Sequence, residues 1–333
     1  MKKRIISLAA AAVFVLGTLA GCGNSSTQTT DKTASSDASS SGGDLVTVRD
    51  AVMTGQLDQY ATEIGLWQGI FEKYGIDLQT TEFVAGINTI DAVVNGTADI
   101  GMMADYAAVN RLGNTLDATN LQIFSQISGG QSALSGGLYV DPKYADDPKS
   151  LDGSAGFMYQ EGTVTYYYAS KCIEYLGLDE SKQNLINTDS SQTRLALIQK
   201  GGASAVYANG SEAKYIEEAG WVQVATSQEI GIQTGSYFLS TDKYISENTD
   251  TLAKFLQAVD ESTQYINDHL DESAEYLADK LGLKAEDFKE NWKNYSFEPG
   301  FSEEATTHLE DIEKWGFEHG SFPKDYNVRD FIN

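Results

Sequence analysis

Apolar residues recur along this chain with two spacings. Leu45 to Met53, Ile76 to Phe83 and the stretch Gly96 to Met103 have the length and apolar content of strands in a half-buried or buried sheet. Between the first two, Tyr60, Ile64, Trp67, Phe71 and Tyr74 step by four, three, four and three residues. That spacing puts all of them on one face of a helix, which Gly75 ends. Thr54 to Leu57 reads as the loop at the end of the first strand, Thr89 to Asn95 as a short helix, and Ala104-Asp105-Tyr106 as the turn that opens another. Strand and helix in alternation predict an α/β fold with parallel strands and helices packed on them.

The pattern changes from Ile127 to Leu138, where Ser, Gly and Gln interrupt strand-like residues, as at a crossing between lobes. Asp141 to Gly153 carries two of the four prolines and is expected at the surface. Ser154 to Tyr168 then reads as a buried strand, a tight turn at Glu161-Gly162 and a helix capped by Thr163 or Thr165, closed by Gly177. The strand Asn184 to Thr188 runs into Ser190-Ser191-Gln192-Thr193, a cap for a helix to Lys200. Ser204 to Tyr207, a turn at Asn209-Gly210, a helix from Glu212 to Ala219 and Val222-Gln223-Val224 repeat the alternation. Ile230 to Leu239 is expected to cross back. From Thr251 the chain is helical, with Leu252, Phe255, Leu256, Val259 and Ile266 on one face and further helices near 273–281, 285–292 and 302–315. These are expected to cover the first lobe, giving lobe I from 45–130 and 235–333 and lobe II from 131–234.

The N-terminus changes the picture of where such a protein works. Lys2, Lys3 and Arg4 precede an apolar run towards Ala20, the pattern of a secretory signal. Leu19-Ala20-Gly21-Cys22 resembles the lipobox of bacterial lipoproteins, which implies a signal peptide over 1–22 and lipidation of Cys22 as a membrane anchor. Residues 23–44, rich in Ser, Thr, Asp and Gly, read as a flexible tether. A net charge of −25 argues against nucleic-acid binding, which needs a basic stripe. Cys172 is the second of two cysteines, so no disulfide framework or cysteine-rich metal site is expected after the signal is removed, and its apolar neighbours make it a small core residue.

Gly65-Leu-Trp-Gln-Gly-Ile-Phe-Glu-Lys-Tyr-Gly-Ile-Asp77, followed by Gly96-Thr-Ala-Asp-Ile-Gly101, resembles the substrate-binding proteins of ABC importers of the nitrate, sulfonate and taurine type, a group that includes binders of thiamine-pyrimidine precursors. Leu151-Asp152-Gly153 is similar to that family's short approach to the second lobe. The resemblance implies a two-lobe periplasmic-binding-protein-like fold of type II. It also implies a monomer without cofactor or metal, held at the extracytoplasmic face of the cell membrane, that closes on a small molecule and delivers it to a permease with its ATPase subunits. One segment departs from the family: Gly202 to Gly210 lacks the aspartate and tryptophan that relatives often carry there, so their ligand does not transfer.

In a two-lobe receptor, contacts come from strand-end loops and helix starts that face the cleft. Matching positions are Gln56, Asp58, Tyr60, Asp105, Tyr106, Glu161, Gly162, Thr163, Thr165, Ser190, Ser191, Tyr207, Asn209 and Tyr237. Each has a second reading: Asp58 and Ser190 as helix caps, Tyr60 and Tyr207 as core residues with a wet hydroxyl, Asn209 as a turn residue. Arg111 and Arg194 fall inside predicted helices, whereas Asp58, Asp105, Glu161 and several tyrosines surround the expected cleft. That set favours an amine-bearing heteroaromatic such as an aminopyrimidine over an aliphatic sulfonate, taurine or nitrate anion. The same fold also serves thiamine-pyrimidine synthases, but their chemistry resembles a cysteine cluster with a histidine and pyridoxal phosphate. Here His269, His308 and His319 lie in the helical tail, away from the expected cleft, which points away from an enzyme.

Overall fold

A computed structural model describes residues 45–116, 120–130, 136–151, 153, 156–293 and 295–333. The signal, the lipobox with Cys22 and the tether lie outside the described residues, as does Ser154 at the start of the central stretch.

Lobe I opens with β1 (Val46–Met53), α1 (Leu57–Trp67), α2 (Ile70–Lys73), β2 (Ile76–Phe83), α3 (Gly86–Val94), β3 (Ile100–Ala104), α4 (Asp105–Thr115) and β4 (Leu121–Gly130). Lobe II follows with β5 (Gly136–Val140), β6 (Gly156–Tyr159), α5 (Val164–Tyr175), β7 (Asn184–Asn187), α6 (Ser191–Gln199), β8 (Ala205–Asn209), α7 (Gly210–Glu218), β9 (Val222–Thr226) and α8 (Ser227–Ile230). The chain returns through β10 (Thr234–Thr241) and ends in α9 (Asp242–Glu247), α10 (Thr249–Asp268), α11 (Leu270–Leu281), α12 (Ala285–Trp292) and α13 (Glu303–Glu318).

The strands form two sheets, ordered β2-β1-β3-β10-β4 and β7-β6-β8-β5-β9. β1 runs parallel to β2 and β3, and β6 parallel to β7 and β8. β10 is antiparallel to both its neighbours, and so is β5. The antiparallel strand of lobe I therefore enters from lobe II, and that of lobe II enters from lobe I, so two connections join the lobes.

Local expectations differ from the structure in two places. The helix expected to run unbroken to Tyr74 stops at Trp67, because Gly69 takes a left-handed φ of 67° and restarts the chain as α2. The break keeps Ile64 and Phe71 in one core and leaves Trp67 at the rim, stacked on Tyr276 at 4.3 Å. The strand expected from Gly96 starts at Ile100, since Gly96 is a turn residue with φ 72°.

The core has three parts. Val48, Ile64, Phe71, Ile100, Phe238, Phe255, Leu277 and Trp292 pack one face of the first sheet against α1 and α10–α12. Tyr139, Met158, Val206, Ile216 and Trp221 form a smaller outer core in lobe II. The third part spans the lobes: Tyr106, Leu112, Leu138, Phe157, Tyr167, Tyr207 and Tyr237 pack with Leu309, Ile312 and Trp315 of α13. The tail helices were expected over lobe I alone, and α13 departs from that. The Trp315 ring lies 6.0 Å from Tyr106 of lobe I and 5.0 and 5.5 Å from Tyr166 and Tyr167 of lobe II, while His319 reaches Glu180 at 3.3 Å.

Candidate ligand cleft

The first three residues of an α-helix have N–H groups with no partner inside the helix, and the helix dipole makes that end electropositive. Here α3, α4 and α5 all begin at one cavity of about 550 Å³. Ala85 to Ile87 and Ala104 to Ala107 line it from lobe I, Gly162 to Val164 and Tyr168 from lobe II, and Thr234 from the returning strand. Asn110, Arg111, Asn114 and Thr115 extend the wall along α4. The lobe II turn is built by Gly162, whose φ of 74° suits glycine and whose Cα faces open space. Thr163 caps α5: its Oγ donates to the Gln160 carbonyl at 2.8 Å and accepts from the Thr165 N–H at 3.3 Å, while Thr165 Oγ accepts from the Gln160 N–H at 2.8 Å.

Two further cavities adjoin this one. A cavity of about 250 Å³ shares Ala104 and Thr234 with it and is lined by Gln56, Ser128, Gly235, Ser236, Asn291 and Tyr295. A more open one of about 560 Å³ shares Gly162 and is lined by Gln160, Glu161, Asn187, Asp189 and Thr193.

Of the residues matched from sequence, Asp105, Tyr106, Gly162 and Thr163 line the first cavity, Gln56 the second and Glu161 the third. Tyr237 lines a small void of about 40 Å³ with His308 and Gln126. Asp58, Tyr60, Thr165, Ser190, Ser191, Tyr207 and Asn209 lie outside all of these linings. Second readings describe some of them, but Asp58 does not cap α1, where Gln56 holds the cap position without a side-chain bond, and the Tyr207 hydroxyl is buried rather than wet. Ser190 caps α6 by accepting from the Thr193 N–H, and Ser191 accepts from Arg194. Tyr207 is buried, packs on Tyr168 at 4.6 Å and bonds Ser227, and burial pushes its hydroxyl up to about 12. Tyr60 packs edge-on to Phe288, and Asn209 ends β8.

The two lobe I carboxylates are committed to the fold. Asp105 accepts from the Tyr106 and Gly235 N–H groups at 2.7 and 2.9 Å, and His308 Nε2 sits 2.7 Å from its Oδ2, all in the interior. Asp58 is fully buried, accepts from the Met53 N–H at 2.9 Å and has its second oxygen unpartnered. Burial pushes its carboxyl up to about 7, and the neighbouring Asp50, with both oxygens unpartnered, is also pushed well above the carboxylate range.

Sequence reasoning missed the arginine. Arg111 reads in sequence as a helix residue, yet it lies on the cavity wall, its Nη2 bonds Asp91 at 2.7 Å, and its buried Nε has no partner among the described residues. Arg194 is tied to Glu212 and Thr188 inside lobe II. The histidines also need correction: His308 abuts cleft-lining Asp105 and His319 packs on Trp315 and Tyr166, so only His269 is remote. Among the described residues no group of three or more His, Cys, Asp or Glu is placed to hold a metal, and no helix is long and apolar enough to cross a membrane.

Two mixed sheets, each with two parallel and two antiparallel pairings rather than the parallel-rich sheets expected, are joined by two crossings with helix starts facing a cavity between them, and this defines the two-lobe periplasmic-binding-protein fold. The chain belongs to the NMT1/THI5-like family, whose model matches residues 64–273. The periplasmic aliphatic sulphonate binding protein SsuA of Escherichia coli is similar in structure, with a TM-score of 0.72 at 16% identity over 86% of this chain and 97% of that one. The alkanesulfonate-binding protein SsuA of Xanthomonas axonopodis pv. citri, bound to MOPS, gives 0.63 at 14% identity over 88% and 99%. The periplasmic nitrate-binding protein NrtA of Synechocystis PCC 6803 gives 0.58 at 14% identity over 87% and 86%. At these identities the likeness is one of fold. No curated protein matches the sequence.

Proposed function

We propose that this protein is the solute-binding component of an ABC importer, capturing a small organic anion between its lobes and presenting the closed form to a permease and its ATPase. The carrying observation is the cavity of about 550 Å³ walled by both lobes, onto which α3, α4 and α5 open. Helix N–H groups and the Arg111 guanidinium suit a sulfonate or carboxylate head, and Ile87, Val164 and Tyr168 suit an apolar body. The cavity supports binding rather than catalysis: Cys172 is buried, with its thiol pushed up by burial, and His308 is occupied by Asp105. Lipidation at Cys22, the tether over 23–44, the lobe division 45–130, 131–234 and 235–333, and a monomer at the extracytoplasmic membrane face complete the reading.

The aminopyrimidine reading loses most of its support, because Asp58 and Asp105 are committed inside lobe I and cannot accept from a ligand amine. Glu161 and Asp189 in the adjoining cavity keep it as the second reading. Calorimetry separates the two. Binding of butanesulfonate with none of a 4-aminopyrimidine supports the anion reading; the reverse result replaces it, and no binding of either removes both.

A further inference from the structure

The second cavity is lined by polar groups from distant parts of the chain. Gln56 stands at the start of α1, Ser128 in β4, Ser236 in β10, Asn291 in α12 and Tyr295 just beyond it. The side-chain amides of Gln56 and Asn291 and the hydroxyl of Tyr295 make no hydrogen bond to any described residue. Ser128 and Ser236 bond each other at 2.8 Å, which uses one hydroxyl proton and leaves the other free. The lining holds no charged side chain. Tyr295 is held in place by ring contacts with Trp292 at 5.8 Å and Tyr60 at 6.2 Å, and burial pushes its hydroxyl up to about 12, so it stays a neutral donor at any physiological pH.

We infer that this cavity is a neutral polar subsite, and that the ligand is an organic acid whose far end carries an uncharged hydrogen-bonding group such as a hydroxyl, amide or ether. The inference rests on the anion reading above and deepens it. The two cavities meet at Ala104 and Thr234, so a ligand whose acid group lies at the helix starts can extend past them into the subsite. A purely alkyl end there would desolvate two amides and a phenol without replacing their hydrogen bonds with water, and a second charge would find no partner. A hydroxyl both donates and accepts, matching an amide on one side and Tyr295 on the other. Asn291 also borders a wider opening of about 940 Å³ between α12 and lobe II, so the subsite does not cap ligand length.

The test uses an isosteric pair, 3-hydroxypropanesulfonate and butanesulfonate, titrated calorimetrically into the protein and its Asn291→Ala and Tyr295→Phe variants. Gln56 and Tyr295 are half-buried and Asn291 is exposed, so covering them with an alkyl end costs on the order of one hydrogen bond, and the hydroxylated ligand is expected to bind about ten-fold more tightly. That ratio should fall several-fold in each variant. Equal affinities, or a preference for butanesulfonate, overturn the subsite and leave the anion reading standing. A preference that neither variant alters also overturns it, since the hydroxyl is then read elsewhere. If neither ligand binds, the anion reading falls and takes the subsite with it.

Discussion

The two lobes share one strand order and use their polar groups in opposite ways. In lobe I, Asp58, Asp105 and Tyr237 are buried, and both carboxylates bond backbone N–H groups that fix helix starts or the returning strand. In lobe II, Glu161 is exposed and Ser190 half-buried, and Gly162 and Thr163 sit at cavity walls. Lobe I spends its two carboxylates on the geometry of the α1 and α4 starts while its backbone and neutral side chains line most of the cavity, whereas lobe II leaves the turn from Glu161 to Thr163 open to solvent and ligand. The third core, centred on Trp315, ties the halves together.

Trp315→Ala should have the largest effect on that comparison. The ring packs on Tyr106 of lobe I and on Tyr166 and Tyr167 of lobe II, and it is only 8% exposed. Truncating a buried tryptophan costs about 3–5 kcal/mol, read as a shift in the chemical denaturation midpoint. A loss below about 0.5 kcal/mol, the range of ordinary surface substitutions, would mean that the lobes are joined by the strand crossings alone.

The buried carboxyls of lobe I give the next effect, and its sign is specific. The Asp58 carboxyl is pushed from the usual value of 3.8 up to about 7 in the fold, so the folded state keeps a proton that the unfolded chain has released. Stability therefore falls as pH rises from about 4 to about 7 and stays low above that. Asp58→Asn keeps a carbonyl acceptor for the Met53 N–H and removes the charge. It should raise stability by about 2–4 kcal/mol at pH 8 and by almost nothing at pH 4. Asp50, raised by burial and by Asp58, keeps part of the slope. Thermal melts across that pH range decide the point: a destabilised variant at pH 8 would show that the Asp58 charge is compensated.

Much of this architecture is legible locally. Gly75 and Gly177 end their helices, Thr163 and Ser190 cap theirs, and the alternation of short strands and helices specifies an α/β fold. What sequence reading misses is set by contacts between distant residues. Asp105 reads as a ligand contact because it opens a helix at a sheet edge, and it does line the cavity, but its carboxylate is engaged by His308, 203 residues away. Gly69 interrupts a helical face whose period continues unchanged beyond it, so periodicity cannot reveal the break. Arg111 has the pattern of any helix surface residue, and only the placement of α4 beside the cleft puts it on the cavity wall. Asn291 and Tyr295 carry no local signal, since their role depends on α12 folding back to the cleft.

The smallest effect compares a cap on the wall of the main cavity with one outside it. Thr163 and Ser190 both cap lobe II helices, each accepting a hydrogen bond from the first turn. Removing either hydroxyl, as Thr163→Val or Ser190→Ala, should cost about 1 kcal/mol of stability, because each leaves a helix N–H without its acceptor. Their effects on ligand should differ. Thr163 lines the cavity at the start of α5, where its hydroxyl also fixes the Gln160 carbonyl and therefore the turn at Gly162. Loosening that turn misplaces the start of α5 where it opens onto the cavity, so affinity for butanesulfonate should fall several-fold in Thr163→Val and stay constant in Ser190→Ala. Equal losses of affinity in both would mean that ligand senses lobe II stability rather than this turn, and the division of labour between the lobes would fail at the residue where it is most direct.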